Sequence, residues 1–122
     1  MVAAVIWPTI NDVKTGETPQ YADLQPQRFS QPYAQVFDAA LATAQALGWA
    51  VTTQDRDHGE IRAVATTPVF RFKDDVTVMI SREGEGVLVN VRSHSRIGKG
   101  DLGTNARRIR RFQAELAKRM SG

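Results

Sequence analysis

The feature that most constrains the fold is a change in apolar spacing at Gly48. Between residues 30 and 47, apolar residues recur at steps of three and four, as on one face of a helix. Ser30 is suited to cap the start of that helix, Pro32 to occupy its first turn, and Gly48 to end it. From residue 49 to 94 apolar and polar residues alternate, as in half-buried strands. The pattern therefore predicts a helix lying on a sheet.

Four segments carry the alternation, and glycine-containing turns join them into two hairpins. The predicted strands are residues 49–55, 60–67, 76–82 and 87–94. One face of these strands predicts the core: Trp49, Val51, Ile61, Ala63, Val76, Val78, Ile80, Val87, Val89 and Val91. The segment between the hairpins contains Pro68 and the adjacent acids Asp74 and Asp75, and it predicts a loop.

A second amphipathic helix follows, and it completes the predicted fold. Its apolar stripe centres on Ile109, and Asp101 or Thr104 could cap its start. Residues 8–30 are polar and hold three of the five prolines, which predicts an extended arm strapped on the body. We therefore expect an arm over 1–29 and a single domain over 30–122. The fold class is α+β in two layers, a four-stranded antiparallel sheet packed by two helices in the order α-β-β-β-β-α.

The distribution of charge points to an anionic partner. Residues 92–119 contain nine Lys and Arg but only two acids, a net charge of +7, so the other residues of this +3 chain carry −4. One basic face could meet phosphate, a lipid headgroup, nucleic acid or an acidic protein. The alternative is a solvated helix face without a ligand.

The segment "RSHSRIGKGDLGTNARRIRRF" (92–112) places six arginines around a glycine-rich turn. Guanidinium groups, glycine amides and a helix N-terminus together could cradle a small anion or an anionic headgroup at 96–108. The predicted ligand-binding residues are Arg92, Arg96, Lys99, Gly100, Asp101, Asn105 and Arg108. The glycines match no nucleotide-binding motif, so this signal is weak.

Two other roles for the same arginines stay open. Asp74 and Asp75 could form a structural acid pair, at least one of them buried against Arg92, Arg96, Arg107 or Arg108. In that case Arg92, Arg96 and Arg108 face inward, while Arg107 and Arg111 face solvent. Alternatively, Arg107, Arg111 and Lys118 could contact nucleic acid or an acidic protein, although no aromatic set is available for base stacking.

Several classes of function are disfavoured. There is no cysteine, and no His, Asp and Glu have metal-ligand spacing, so no metal and no cofactor are expected. His94 lies between Ser93 and Ser95 on a strand, where alternation turns it away from both and argues against a nucleophile–base pair. The chain also lacks the apolar run of a membrane span and is expected to be soluble as given. We expect a non-enzymatic binding or assembly module.

The run of arginine, serine, glycine, aspartate and asparagine in 92–112 also carries a resemblance. With "GWAV" and "FRFKDDVTVMI" before it, the run resembles a bacterial and chloroplast domain-of-unknown-function family, number fourteen ninety-nine of its series. The resemblance covers about Ile10 to Leu116. It supplies no activity, but many relatives carry membrane-spanning segments, which implies a membrane-adjacent or envelope setting. The cysteine-containing opening of other branches is absent here.

Overall fold

The computed structural model describes residues 10–97 and 103–121, which form an antiparallel six-stranded sheet and two α-helices. In chain order the elements are β1 (Asp12–Lys14), β2 (Gln27–Phe29), α1 (Tyr33–Ala46), β3 (Ala50–Asp55), β4 (Glu60–Thr66), β5 (Lys73–Glu83), β6 (Gly86–Ser95) and α2 (Thr104–Ser121). A single 3₁₀ turn, Pro19–Tyr21, lies between β1 and β2. The α+β class is confirmed.

The sheet has two more strands than the sequence predicts. The hairpins give the order β6-β5-β4-β3, and both β1 and β2 pair with the outer edge of β6. Asp12–Lys14 lies against Arg92–His94, and Gln27–Phe29 lies against Val87–Val89. The prediction of four strands is therefore wrong, because strands of three residues are too short to show an apolar period. The main chains of β1 and β2 form hydrogen bonds with β6. Without them, the N–H and C=O groups on that edge of β6 would be unpaired.

Strand β5 begins earlier than predicted and includes both adjacent acids. Asp74 lies opposite Ala65 of β4 and Ser95 of β6, so its backbone is paired on both sides. The expected loop therefore ends before Lys73. Aspartate is a poor strand former, but ladder pairing with two neighbours outweighs this weak preference.

Helix α1 ends as predicted but begins later. Gly48 has a φ of +82°, and its N–H donates to the carbonyl of Gln45 at 3.0 Å, which closes the last turn. The helix begins at Tyr33, and Pro32 occupies the capping position without a side-chain hydrogen bond. The prediction that Ser30 caps the helix is wrong. Pro32 is predicted to lie in the first turn, but it precedes the helix. Its carbonyl accepts the first helical hydrogen bond, from the N–H of Val36.

Both helices pack on one face of the sheet and bury the predicted strand face, except for Val51, which is only partly buried. Ile61, Val78 and Val89 are fully or almost fully buried there. From α2, Ile109 and Phe112 are fully buried, and the Phe112 ring stacks on Trp49 at 5.5 Å between centroids. Of the predicted α2 stripe around Ile109, the following described members are buried: Asn105, Ala106, Ile109, Phe112, Leu116 and Met120. Gln113, also predicted on the stripe, is only partly buried. This packing holds the first turn of α2 near the ends of β5 and β6.

The turn glycines of the two hairpins should differ in their tolerance of a side chain. Gly59 and Gly84 have φ of +66° and +60°, but a Cβ on Gly59 would lie 1.9 Å from the carbonyl oxygen of Ile80, whereas Gly84 has open space. Gly84→Ala should lower the free energy of unfolding by about 1–2 kcal/mol through backbone strain alone. Gly59→Ala should cost about 3 kcal/mol or more, since the strand must also move. Urea denaturation measures both, and equal losses would contradict this assignment.

Candidate functional site

Strand β6 separates the candidate residues between two faces of the sheet. Its buried residues continue from Val91 to Ser93 and Ser95, whereas Arg92 lies on the face without helices. Arg96 follows this alternation and is also exposed. The prediction that Arg92 and Arg96 face inward is therefore wrong, because both occupy the strand positions that point away from α2.

The two outward arginines are held by acids of the same open face. The Arg92 Nε donates to Asp12 Oδ1 at 2.8 Å, and the Arg96 Nε donates to Asp75 Oδ2 at 2.9 Å. Each guanidinium makes a second bond to the same carboxylate, so both contacts are bidentate. These hydrogen bonds hold the pKa of Asp12 and of Asp75 below the ordinary aspartate value and raise the pKa of both arginines. The charge of these arginines is already balanced.

On the helix side lies a buried polar cluster, formed by Asp74, Ser93, Ser95, Asn105 and Arg108. Arg108 Nη1 contacts Asp74 Oδ2 at 2.8 Å, and Asp74 is only 2% exposed. The same nitrogen donates to Asn105 Oδ1 at 3.0 Å and Ser93 Oγ at 3.2 Å. The Ser93 hydroxyl donates to Asn105 Oδ1 at 2.6 Å, and Asn105 Nδ2 donates to Ser95 Oγ at 2.8 Å.

The buried polar cluster fastens the start of α2 to the sheet. Asp74 belongs to β5, Ser93 and Ser95 to β6, and Asn105 and Arg108 to the first turns of α2. Asn105 also donates to the carbonyl of Asn11 at 3.2 Å, which adds the segment before β1. The predicted burial of one acid against an arginine is found in Asp74 and Arg108. Burial of the carboxylate is tolerated because a charged partner lies at hydrogen-bonding distance.

Beside this cluster, four arginines line one cleft, named here the arginine cleft: Arg71, Arg107, Arg108 and Arg111. Its volume is about 690 Å³. Leu47 and Trp49 form an apolar part of its wall. A second part of the wall is formed by the end of β4 and the loop that follows it. Hydroxyl groups are present as well, from Thr66, Thr67 and Thr104. The lining of the cleft thus combines cationic, hydroxyl and apolar residues.

The arginine cleft differs from the open face in its balance of charge. Its lining within residues 10–97 and 103–121 includes no aspartate or glutamate. Arg71 and Arg111 have no carboxylate partner in that part of the chain. Arg107 donates to Thr104 Oγ1 at 3.3 Å, and Arg108 is bound to Asp74. Among the described residues, the charges of Arg71 and Arg111 are therefore not balanced by a carboxylate.

The structure places the predicted site residues at separate locations. Asn105 and Arg108 lie together in the buried polar cluster, and Arg107 and Arg111 line the cleft and are exposed, as expected for these two. Lys118 is exposed farther along α2, about 10 Å from Arg111 by helical rise. The predicted Lys99, Gly100 and Asp101, and the predicted cap at Asp101, lie outside the described residues.

Sequence reasoning missed three polar residues of this region. Ser93 and Ser95 had a usable signal, because they continue the buried alternation of Val87, Val89 and Val91 along β6. Arg71 had none: it is 36 positions or more from the cleft arginines of α2, and it enters the cleft from a loop. Its φ of +59° is unusual for a residue with a side chain.

Two other findings bear on the class of function. In the described part of the chain, no group of three or more His, Asp or Glu side chains is arranged to hold a metal ion. Of the helices in that same part, none has both the length and the hydropathy of a membrane span.

The sequence matches the family described as Protein of unknown function (DUF1499) over residues 4–116. This match covers most of the chain, including the buried polar cluster and the four cleft arginines. No curated protein matches the chain.

The adjacent acids Asp74 and Asp75 should contribute very differently to stability. Asp74→Ala leaves the Arg108 charge buried without its partner, so the free energy of unfolding should fall by about 3–5 kcal/mol. Asp75→Ala removes a contact in which both side chains are almost half exposed, and it should cost at most about 1 kcal/mol. Urea denaturation of both variants tests this difference. A loss at Asp75 as large as that at Asp74 would contradict the assigned burial.

The pKa of Asp75 should depend on Arg96. The Arg96 hydrogen bond lowers the pKa of Asp75, so Arg96→Gln should raise it toward the ordinary value. Because the folded-state pKa is depressed, the stabilisation is complete above the unfolded-state pKa and is lost as pH falls through the folded-state pKa. Carboxyl NMR titration measures the change, with Asp12 as the internal control. An unchanged Asp75 pKa in the variant would refute this origin of the shift.

Proposed function

Since the chain belongs to the DUF1499 family, whose members are described as of unknown function, we propose its function from the arginine cleft. It is a binding module for a small anion that carries a phosphate or similar oxyanion group. The observation that carries the proposal is that four guanidinium groups line one cleft, and two of them, those of Arg71 and Arg111, have no carboxylate partner among the described residues. Guanidinium groups pair with oxyanions through two parallel hydrogen bonds, which suits this chemistry.

The contrast between the two faces supports this choice of site. Arg92 and Arg96 carry the same charge as the cleft arginines, but Asp12 and Asp75 already occupy them in bidentate contacts. An anion would have to displace those carboxylates. At Arg71 and Arg111 it would displace only solvent, so binding there costs less.

Individual residues have distinct roles in the proposed site. Arg108 forms a fixed wall, because the buried polar cluster holds its guanidinium group in one orientation. Arg107 and Arg111 extend from successive turns of α2, and Arg71 reaches the cleft from the loop after β4. Thr104 opens α2 and lines the same cleft, so the positive end of the helix dipole adds to the attraction.

The apolar part of the wall indicates a ligand larger than a bare inorganic ion. Leu47 and Trp49 line the cleft together with the cationic residues, and about 690 Å³ is within the range of small-molecule sites. A ligand with an anionic group and an apolar or ring portion would fit both sides. Inorganic phosphate then tests only the part of the site that binds the anionic group of such a ligand.

A polymer ligand is less well supported. The exposed stripe of Arg107, Arg111 and Lys118 is interrupted by Glu115, four residues after Arg111, where the next helical turn would present its charge. Two of its three cations also line the cleft. Nucleic-acid or acidic-protein contact through α2 therefore remains an outcome of the test below.

Removal of two cleft arginines should weaken anion binding. In calorimetric titrations with inorganic phosphate and with pyrophosphate, Arg71→Gln/Arg111→Gln should raise Kd by at least about 10-fold, because two charge-assisted hydrogen bonds are lost. The matched control, Arg92→Gln/Arg96→Gln, removes the same charge from the open face. It should change Kd by less than about 3-fold through the long-range field alone.

Three results would overturn the proposal. The first is that the control weakens binding as much as the cleft variant, and the second is that neither anion binds the unmodified protein. The third is that a short oligonucleotide binds tightly, with affinity that falls steeply with salt and depends on Lys118, while phosphate shows no saturation. The α2 stripe would then be the functional surface.

A further inference from the structure

The loop between β4 and β5 presents an apolar tip, defined here as Val69, Phe70 and Phe72. Their exposed fractions are 79%, 73% and 48%, the largest for bulky apolar side chains in the described chain apart from Ile97 at 64%. Exposure this high means that the side chains project from the surface. A single exposed apolar residue is ordinary, but several adjacent ones mark a contact surface.

Hydrogen bonds at its base make this loop a closed unit. The N–H of Thr67 donates to the carbonyl of Phe72 at 2.8 Å, and the N–H of Phe72 donates to the Thr67 hydroxyl at 2.8 Å. The N–H of Arg71 donates to the carbonyl of Thr67 at 3.1 Å. The rings of Phe70 and Phe72 stack at 5.5 Å between centroids. The apolar tip is thus held outward by defined contacts.

Two cationic residues, Arg71 and Lys73, adjoin the apolar tip in the chain. Arg71, between the two phenylalanines, lines the arginine cleft, and the exposed Lys73 follows the loop. Ile97 belongs to the same end of the sheet, because the N–H of the preceding Arg96 donates to the carbonyl of Lys73 at 3.4 Å. Projecting apolar side chains and unbalanced positive charge therefore share one end of the molecule.

We propose that this end docks onto the surface of an anionic phospholipid bilayer, with Phe70, Phe72 and Val69 inserted among the acyl chains. Arg71 and Lys73 then lie at the level of the headgroup phosphates. Such a division, apolar residues below the headgroups and Arg or Lys among them, is the pattern of interfacial membrane binding. This membrane proposal rests on the proposed anion-binding function in one respect, namely that the arginine cleft supplies positive charge that attracts the bilayer.

Shape and charge favour a bilayer over a protein as the occupant. A protein interface buries a broad patch around its anchors, whereas this tip consists of a few projecting side chains on a narrow loop. A bilayer accepts such a tip without a shaped pocket, and anionic lipids attract the surrounding arginines. A second copy of this chain would bring two cationic ends together, which repel each other.

Vesicle sedimentation with the full chain tests the proposal. The unmodified protein should sediment with vesicles of phosphatidylcholine that contain about 30% phosphatidylserine, and much less with phosphatidylcholine alone. Phe70→Ser/Phe72→Ser keeps every charge and should reduce sedimentation by at least about 10-fold. Both side chains are exposed, so the variant should keep its thermal unfolding profile and its affinity for inorganic phosphate. Arg28→Gln/Arg56→Gln is the control for charge outside this end, because Arg28 contacts Glu83 and Arg56 contacts Asp38 at the opposite end of the strands, and it should retain most of the binding.

The outcomes separate this proposal from the one on the cleft. If the unmodified protein binds phosphate but stays in solution with both vesicles, the membrane proposal fails and the cleft proposal stands, and a protein becomes the better occupant of the tip. If the Phe70→Ser/Phe72→Ser variant sediments like the unmodified protein, the tip is not the contact and the proposal fails. If both vesicle binding and its dependence on Phe70 and Phe72 are found without phosphate binding, the membrane proposal stands alone. A dimer in size-exclusion chromatography that the variant abolishes would assign the tip to a second copy and overturn the proposal.

Discussion

The buried contact between Asp74 and Arg108 is the interaction on which the rest of this end of the molecule depends. It joins the start of β5 to the first turns of α2, where Ser93 and Asn105 provide the additional hydrogen bonds. A carboxylate that is 2% exposed needs a partner in a defined position, so α2 has little freedom to slide or rotate. The other arginines of the helix take their positions from this contact.

Strand alternation divides the remaining charges into two sets with different roles. On the open face Arg92 and Arg96 meet Asp12 and Asp75, and each pair is close to neutral as a unit. On the other side, the buried Asp74 is bound by Arg108, and Arg71 and Arg111 have no carboxylate partner in the described part of the chain. The same residue type therefore stabilises one face and supplies unbalanced charge to the other.

Arg71 connects the two proposed activities of this end. Its backbone is held in a left-handed conformation between two exposed phenylalanines, and its side chain lines the cleft. Strain of this kind persists only where surrounding contacts impose it, and here the hydrogen bonds of Thr67 do so. A ligand in the cleft and a bilayer at the tip would thus contact neighbouring atoms of one closed loop.

The amino-acid sequence by itself determined the elements with a sustained period: α1 up to Gly48, both hairpins, the buried strand face and the apolar stripe around Ile109. These follow from the repeats of 3.6 and two residues, which are local properties. The strands β1 and β2 depended on the tertiary structure. Three residues are too few to show a period, and these strands form because the edge of β6 is available for pairing. The site was likewise only partly predictable. The burial of an acid against an arginine could be foreseen, but the face on which Arg92 and Arg96 lie required the strand register. The arrival of Arg71 beside Arg111 required the folded loop, since residues 40 positions apart are brought together only by the packing of α2 on the sheet.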